Sequence, residues 1–274
     1  MTQRILITGA AGGVGTLMRP RLAADDRILR LLDIADLPAP ADGEQTEIIK
    51  ASITDMDAME KACAGVDAVI HLGGHSLEQV WSKILDVNIN GTYVVLEAAR
   101  RQGVKRVVLA SSNHAVGYVK KEDGEAGDYE FPRPDTNYGV SKVAVEALGS
   151  LYADRYGLDV ICVRIGSCFE KPKDVRMLST WLSPADGARL FEACLATPEP
   201  GFRIIWGISD NTRRWFSLDE GRKLGYESQD NSEAYAEEVI AQHGELDPDS
   251  HAARYLGGAW CGPDFNTAVK EAGR

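Results

Sequence analysis

The chain has 274 residues, with 30 Lys plus Arg against 41 Asp plus Glu and a formal net charge of -11. A hydrophobic fraction of 44% and a charged fraction of 26% describe a globular chain, not a disordered one. The acidic excess excludes a general nucleic-acid or anionic-membrane binder, because phosphate contacts need a basic surface, and leaves room for a local basic pocket for a small anion. Cys63, Cys162, Cys168, Cys194 and Cys261 are scattered, odd in number and lack a C-x-x-C pair. That suits neither a zinc framework nor a disulfide scaffold, and points to a reducing compartment. Met1 leads straight into an apolar run, no signal peptide is visible, and there is no stretch of ~18 unbroken apolar residues. A soluble cytoplasmic protein is expected.

Through the first 165 residues short apolar runs alternate with helical segments. Strands are expected at Arg4–Thr8, Ile28–Leu32, Glu47–Ile49, Ala68–Leu72, Arg106–Ala110 and Asp159–Arg164, and helices at Gly15–Ala24, Asp55–Ala64, Gln79–Gln102 and Tyr138–Tyr156. Apolar runs without alternation suit strands buried on both faces, and their alternation with helices predicts an α/β fold with a doubly wound parallel sheet. From Gly166 the rhythm fails. Ser183–Ala196 opens on Ser-Pro and reads as a capped helix, Gly201–Ile208 as a further strand, and Ser217–Leu224 as a short helix. Residues 1–165 are therefore expected to form the nucleotide-binding part, and 166–274 a smaller substrate-binding subdomain with a tail, interleaved into one folding unit. The tail after Asp247 has no clear periodicity and receives no placement.

The first strand runs into Thr8-Gly9-Ala10-Ala11-Gly12-Gly13-Val14-Gly15, followed by a helix. Glycines there let the chain turn sharply and bring amides close to a pyrophosphate, which the helix N-terminus also favours. The spacing is G-x-x-G-x-x-G, at Gly9, Gly12 and Gly15. Asp33 ends the second strand, where a carboxylate can accept hydrogen bonds from the adenosine ribose and repel a 2'-phosphate; capping Ala35–Leu37 is its plainer role. NAD, not NADP, is the expected cofactor.

Tyr138 and Lys142 are four apart on one helix face. A free phenol, with pKa about 10, is a poor base at neutral pH, and a neighbouring ammonium would favour its phenolate. Tyr138 would then serve as general base for a substrate hydroxyl. The fifth strand ends in Ala110-Ser111-Ser112-Asn113-His114, at the sheet edge where open α/β sheets bind ligands. Ser112 is the candidate to orient the reacting oxygen. Ser111 is expected to satisfy backbone groups. His114 reads equally as a structural histidine or a ligand contact.

With these residues in place, the sequence resembles the extended short-chain dehydrogenase/reductase superfamily, carried by Thr8–Gly15, Asp33, Asn88 in Val-Asn-Ile-Asn-Gly-Thr, Ser112, Tyr138 and Lys142. The resemblance implies a Rossmann-type sheet, and a structural role for Asn88. Where that family has Gly-Asp after the third strand, this chain has Ala51-Ser52-Ile53, which puts the adenine contact in doubt. The strings His71–Gly74, Ala110–Gly117, Arg133–Asp135, Arg164–Cys168, Arg176–Ser183 and Gly207–Asn211 are similar to those of the uronate dehydrogenases. That resemblance implies NAD-dependent oxidation of hexuronic acids such as galacturonate and glucuronate to aldarolactones, with Tyr138 as base and Lys142 and Ser112 as its catalytic partners. It implies cofactor contacts at Gly9, Gly12, Gly13, Val14, Gly15, Asp33, Ser52, Ile53, Leu72, Gly73, Gly74, Lys142 and Cys168. It implies substrate contacts at Ser76, Ser112, Asn113, His114, Tyr138, Ser167 and Arg176, no metal, and a homo-oligomer. On spacing alone Arg176 is as readily a surface arginine following Lys171 and Lys173; a uronate carboxylate, however, needs a cation, and Arg offers a planar fork. Arg213 and Arg214 are rival clamps unless paired with Asp210 or Asp219. A nucleotide-sugar epimerase or dehydratase, or a non-catalytic NAD-sensing regulator, are the competing readings.

Overall fold

A computed structural model describes residues 2–263 and 265. The first half comprises β1 (Gln3–Thr8), α1 (Gly13–Leu22), β2 (Arg27–Asp33), β3 (Thr46–Lys50), α2 (Met56–Cys63) and β4 (Ala68–His71). Next come α3 (Trp81–Lys83), a π-helical stretch (Ile84–Asn90), α4 (Gly91–Arg101), β5 (Arg106–Ser112), α5 (Asn137–Tyr156) and β6 (Asp159–Ile165). The remainder contributes β7 (Ser167–Cys168), α6 (Met177–Thr180), β8 (Trp181–Leu182), α7 (Pro184–Ala196), β9 (Phe202–Gly207), α8 (Asp219–Lys223), α9 (Ala236–His243) and α10 (His251–Arg254).

Seven strands form one parallel sheet in the order β3-β2-β1-β4-β5-β6-β9. Both faces are covered, which is why the strand sequences do not alternate in polarity. Ile5 and Ile7 of β1 join Met18 and Leu22 of α1 and Leu190 and Phe191 of α7 in one core. Leu6 of the same strand joins Met59 of α2, Val95 of α4 and Val145 of α5 in the other. Each such aliphatic side chain, fully removed from water, contributes about 1.5–3 kcal/mol. The chain order reverses between β1 and β4, which opens the crevice beyond the strands' carboxyl ends where ligands bind in such sheets.

The expected cap of α7 is present, and α5 is capped at both ends. The Ser183 side chain accepts from Asp186 N with Pro184 opening α7, Thr136 accepts from Gly139 N at the start of α5, and Gly157 closes α5 in the left-handed region at φ 71. One expectation needs correction. Gln79–Gln102 is not one α-helix: Gln79 and Val80 precede it, and a π-helical stretch interrupts it. A hydrophobic period of 3.6 does not reveal the widened turn of a π-helix. The stretch carries Asn88, whose buried amide holds the main chain of His75 in both directions, Oδ1 accepting from His75 N at 2.8 Å and Nδ2 donating to His75 O at 3.0 Å. Among the described residues no helix is long and apolar enough to cross a membrane.

Candidate active site

The glycine loop lies across the β1/β4 crevice with no room for side chains. At Gly9 (φ 70) a Cβ would sit 2.6 Å from Gly73 N, and at Gly15 it would sit 2.5 Å from Gly9 O. Gly13, by contrast, faces open space. Helix α1 starts there with no acidic residue in its first turn and no side-chain cap, so its positive end is available to an anion. Asp33 accepts from Ala11 N at 2.9 Å and from Ala35 N at 3.0 Å. The plainer capping role is thus real, and the carboxylate also ties β2 to the glycine loop. A carboxylate offers about four acceptor sites, so Asp33 retains capacity for a ribose. Open amides, a side-chain-free crossing and a carboxylate at the end of β2 fit an adenine dinucleotide.

The other cofactor candidates are less uniform. The Ser52 hydroxyl is engaged with Thr54, at 2.9 Å from Oγ1 and 3.2 Å from its amide. Ile53 fills the space beside Gly73 and Gly91. Leu72 donates its amide to Thr8 O, and Gly74 adopts φ 146 against Asn88. Val14 packs against the core, and Cys168 is buried in β7, where burial pushes its thiol up to about 12. Beneath this crevice a buried relay fixes His71. Gly73 N donates to Thr8 Oγ1, Thr8 Oγ1 lies 2.7 Å from His71 Nδ1, His71 Nε2 lies 3.1 Å from Thr92 Oγ1, and Thr92 Oγ1 donates to Asn88 O. The Thr92 proton is committed to Asn88, so Nε2 carries the ring proton and Nδ1 accepts from Thr8. Burial pushes His71 down to about 3.

Tyr138 stands in the first turn of α5 and Lys142 one turn on, as the spacing requires. Both are buried, and Lys142 Nζ lies 5.4 Å from the Tyr138 ring centre. The expected electrostatic coupling does not govern the protein by itself. Burial pushes the phenol up to about 12, with the Ser112 hydroxyl acting in the opposite direction, and pushes the ammonium down to about 8. Lys142 spends a hydrogen bond on Ala110 O at 2.7 Å. For Tyr138 and Lys142 alike, loss of water is the largest influence.

Around them the end of β5 supplies the polar groups. Ser112 Oγ accepts from His114 N at 3.3 Å. Ser111 does not serve the backbone: its hydroxyl donates to Glu146 Oε1 at 2.6 Å, inside a buried pair with Arg164. His114 Nδ1 lies 2.6 Å from Asp135 Oδ2, its ring stacks on Trp260 at 3.9 Å, and the Tyr138 ring meets it edge-on at 5.8 Å. Burial lowers the His114 pKa more than Asp135 raises it. The imidazole is therefore neutral, with Nδ1–H directed at Asp135 and the Nε2 lone pair free. Ser167 is paired with Thr180 at 3.0 Å, and Ser76 is exposed between His75 and Glu78.

Arg176 is no surface residue. Its Nη2 donates to Leu256 O at 2.5 Å, a carbonyl that also receives Asn113 Nδ2 at 3.1 Å. Burial lowers its pKa. Among the described residues it has no ion-pair partner, whereas the two rival clamps do: Arg213 pairs with Glu233, and Arg214 with Asp210 and Glu125. Ser112, Asn113, His114, Tyr138, Lys142 and Arg176 thus converge at the sheet's carboxyl end. Ser167, Ser52 and Cys168 are each committed to other contacts.

Sequence reasoning missed three contributors. Glu78 and Asp135 are buried carboxylates at the site, and residues 255–262, from the tail that had no placement, form a strap across it. Leu256 N donates to Val119 O and Gly257 N to Gly117 O. The available signal was Gly257-Gly258: a Cβ on the first would collide with Asp135 and on the second with Arg176. A glycine pair outside any periodic element marks such a close backbone approach.

Comparisons with known proteins agree with this geometry. Residues 5–188 match the NAD dependent epimerase/dehydratase family. The uronate dehydrogenase of Pseudomonas syringae pv. tomato is 45% identical over 258 residues, covering 94% of this chain and 92% of that one. A variant of uronate dehydrogenase from Agrobacterium tumefaciens, solved in complex with NAD, superposes with a TM-score of 0.89 at 38% identity, covering 96% of this chain and 98% of the other. A glucuronic acid dehydrogenase from Chromohalobacter salexigens gives a TM-score of 0.89 at 42% identity over 95% and 97%. The chain belongs to the NAD dependent epimerase/dehydratase family and, within it, to the uronate dehydrogenases.

Proposed function

We propose that this protein oxidises hexuronic acids, galacturonate and glucuronate, at C1 to the aldarolactone with NAD. The observation that carries the reading is Arg176, a largely buried guanidinium at the site with no carboxylate partner among the described residues. An unpaired buried cation is unfavourable unless a ligand supplies the anion. In an acidic chain, such a group selects a carboxylate over a neutral hydroxyl at the corresponding sugar position.

In this reading the uronate enters as its cyclic hemiacetal with its carboxylate on Arg176. Ser112 and Asn113 hold the anomeric oxygen, and Tyr138, as the phenolate left once its own proton has passed to solvent, takes the anomeric proton. Neutral His114 accepts a hydrogen bond from a ring hydroxyl through Nε2. The positive charge of Lys142 beside the ring favours the ionised phenolate that Tyr138 must reach before it accepts the anomeric proton. Gly9, Gly12, Gly13 and Gly15 with Asp33 hold NAD, which when bound accepts the hydride from C1, so that the hemiacetal becomes a lactone. Much of the acceleration comes from positioning C1.

The test is NADH formation from galacturonate, glucuronate, galactose and a hexose 6-phosphate. Accumulation of NADH with the uronates alone is expected. No net reduction with any uronate would overturn the reading and favour a hydride-returning epimerase or dehydratase. The reading includes a reducing cytoplasm, in keeping with five free cysteines. It also includes a homo-oligomer, supported by exposed Trp81, Leu85, Val140 and Leu151 and tested by sedimentation.

A further inference from the structure

The segment between β4 and α3 is anchored at two points, and both anchors lead to Tyr138. At the first, Asn88 clasps His75 through both its amide and carbonyl. Asn88 Nδ2 also reaches Ser141 Oγ at 3.1 Å, and that hydroxyl donates to Tyr138 O at 2.6 Å. At the second, Glu78 is only 6% exposed although its neighbours Ser76 and Leu77 are exposed. Its carboxylate accepts from Tyr138 N at 2.7 Å and from Asn137 N at 3.3 Å. These are two of the amides that open α5 and have no partner within the helix. The amide and the carbonyl of Tyr138 are therefore both held, directly or through Ser141, by the arch that carries Ser76.

A carboxylate at a helix N-terminus is favourable in its own right. Three features exceed what helix capping needs. Thr136 already caps α5 through Gly139 N. The Glu78 partners are the residue expected to act as base and its neighbour. The acceptor of the contact is 60 residues away in sequence, on the arch between the cofactor loop and the substrate site.

We propose that Glu78 is a positioning residue, which locks the main chain of Tyr138 to the Ser76 arch so that the phenol and the substrate hydroxyl are held in one frame. The inference rests on the uronate-oxidation reading above. Glu78 does not touch the reacting atoms; it sets the distance over which Tyr138 takes the proton. A displacement there should make proton and hydride transfer slower without weakening the dinucleotide site on β1 and α1.

The experiment compares wild type, Glu78→Ala and Glu78→Gln, the last retaining one carbonyl acceptor for Tyr138 N. Measurements are kcat and KM for galacturonate, NAD affinity by quenching of intrinsic fluorescence, and the isotope effect on kcat with C1-deuterated galacturonate. For Glu78→Ala, kcat should fall at least tenfold with NAD affinity unchanged within twofold, and the isotope effect should rise as the chemical step becomes limiting. Glu78→Gln should recover most of the lost kcat, and it carries the test if the alanine variant does not fold. An unaltered kcat in Glu78→Ala overturns the proposal. So does a loss shared equally by kcat, NAD affinity and thermal midpoint without a change in isotope effect, which marks a purely structural role. Absence of NADH formation by the wild type would instead overturn the uronate reading, so the two failures are distinct.

Discussion

Replacing Arg176 with alanine is the sharpest perturbation of the proposed chemistry. The guanidinium is partly buried, with Asp174 and Asp135 acting on it from a distance and the Leu256 carbonyl its hydrogen-bond partner among the described residues, so a bound carboxylate would be its one direct charge partner. Breaking a buried ion pair by removing one member costs about 3–5 kcal/mol. At about 1.36 kcal/mol per tenfold, kcat/KM for galacturonate should fall roughly 10²- to 10⁴-fold. The carboxylate is remote from C1 and its charge does not change during oxidation, so most of the loss belongs to KM. Arg176→Lys keeps the charge but loses the fork, and should fall between the extremes. NAD affinity should be unchanged within twofold, which makes the loss on galacturonate against intact cofactor binding the diagnostic quantity. Stability moves the other way: burial disfavours the charged guanidinium in the ligand-free protein, so Arg176→Met should unfold at an equal or higher temperature than wild type without ligand. An unchanged galacturonate KM in Arg176→Ala, or an equal loss of NAD affinity, would refute the assignment of Arg176 as the clamp.

Tyr138→Phe should lower kcat by roughly 10²- to 10⁴-fold while NAD binding, followed by fluorescence, is retained; near-normal turnover would remove Tyr138 from the role of base. Asp33→Ala should narrow the preference for NAD over NADP in paired kcat/KM measurements, and continued refusal of NADP with NAD affinity intact would leave Asp33 only its cap on Ala35. His71 titrates near 3 in the fold against 6.5 in the open chain, so the unfolded state binds its proton first as pH falls, and stability is lost below about pH 6.5. At pH 5 that loss is about 2 kcal/mol from this group alone, and His71→Gln should remove that part of the difference between urea midpoints at pH 7 and pH 5; equal pH slopes in variant and wild type would exclude His71 as the sensor.

What could be read from the sequence follows the reach of its local signals. The strands were legible because burial on both faces leaves uninterrupted apolar runs, and the start of α7 because Ser183-Pro184 has a conformational role of its own. The pairing of Tyr138 with Lys142 follows from helix geometry. Long-range contacts left no such trace. Glu78 looks like any polar residue in Ser-Leu-Glu-Gln until α5 is brought onto it. Asp135 and Trp260 converge on His114 from 21 and 146 residues away, and no periodicity encodes that meeting. The π-helical stretch was invisible because one extra residue in a turn barely shifts an apolar pattern, although it carries the clasp at Asn88. The coupling of Tyr138 to Lys142 was overestimated for a different reason: spacing reports proximity, but the sign and size of a pKa shift depend on how much water each group has lost.

The same loss of water unites the two ends of the proposed site. At one end a guanidinium has lost much of its water with no ion-pair partner among the described residues; at the other a phenol is held neutral although the reaction needs it to give up its proton. Each state is unfavourable for function in isolation, and each is corrected by the substrate class the site is argued to take. A carboxylate on Arg176 supplies the missing charge where screening is weak, so a short-range contact can outweigh the repulsion that a net charge of -11 exerts on any anion approaching through solvent. Anchoring that end of the sugar then fixes where the anomeric hydroxyl meets Tyr138. Under the proposed function, a sugar that reaches both groups is the one whose hydroxyl is placed against Tyr138, with Asn113 and Arg176 held to a single carbonyl at Leu256. Under the proposed function, selectivity for an acidic sugar and a base kept neutral until substrate is in place would both follow from one buried cleft.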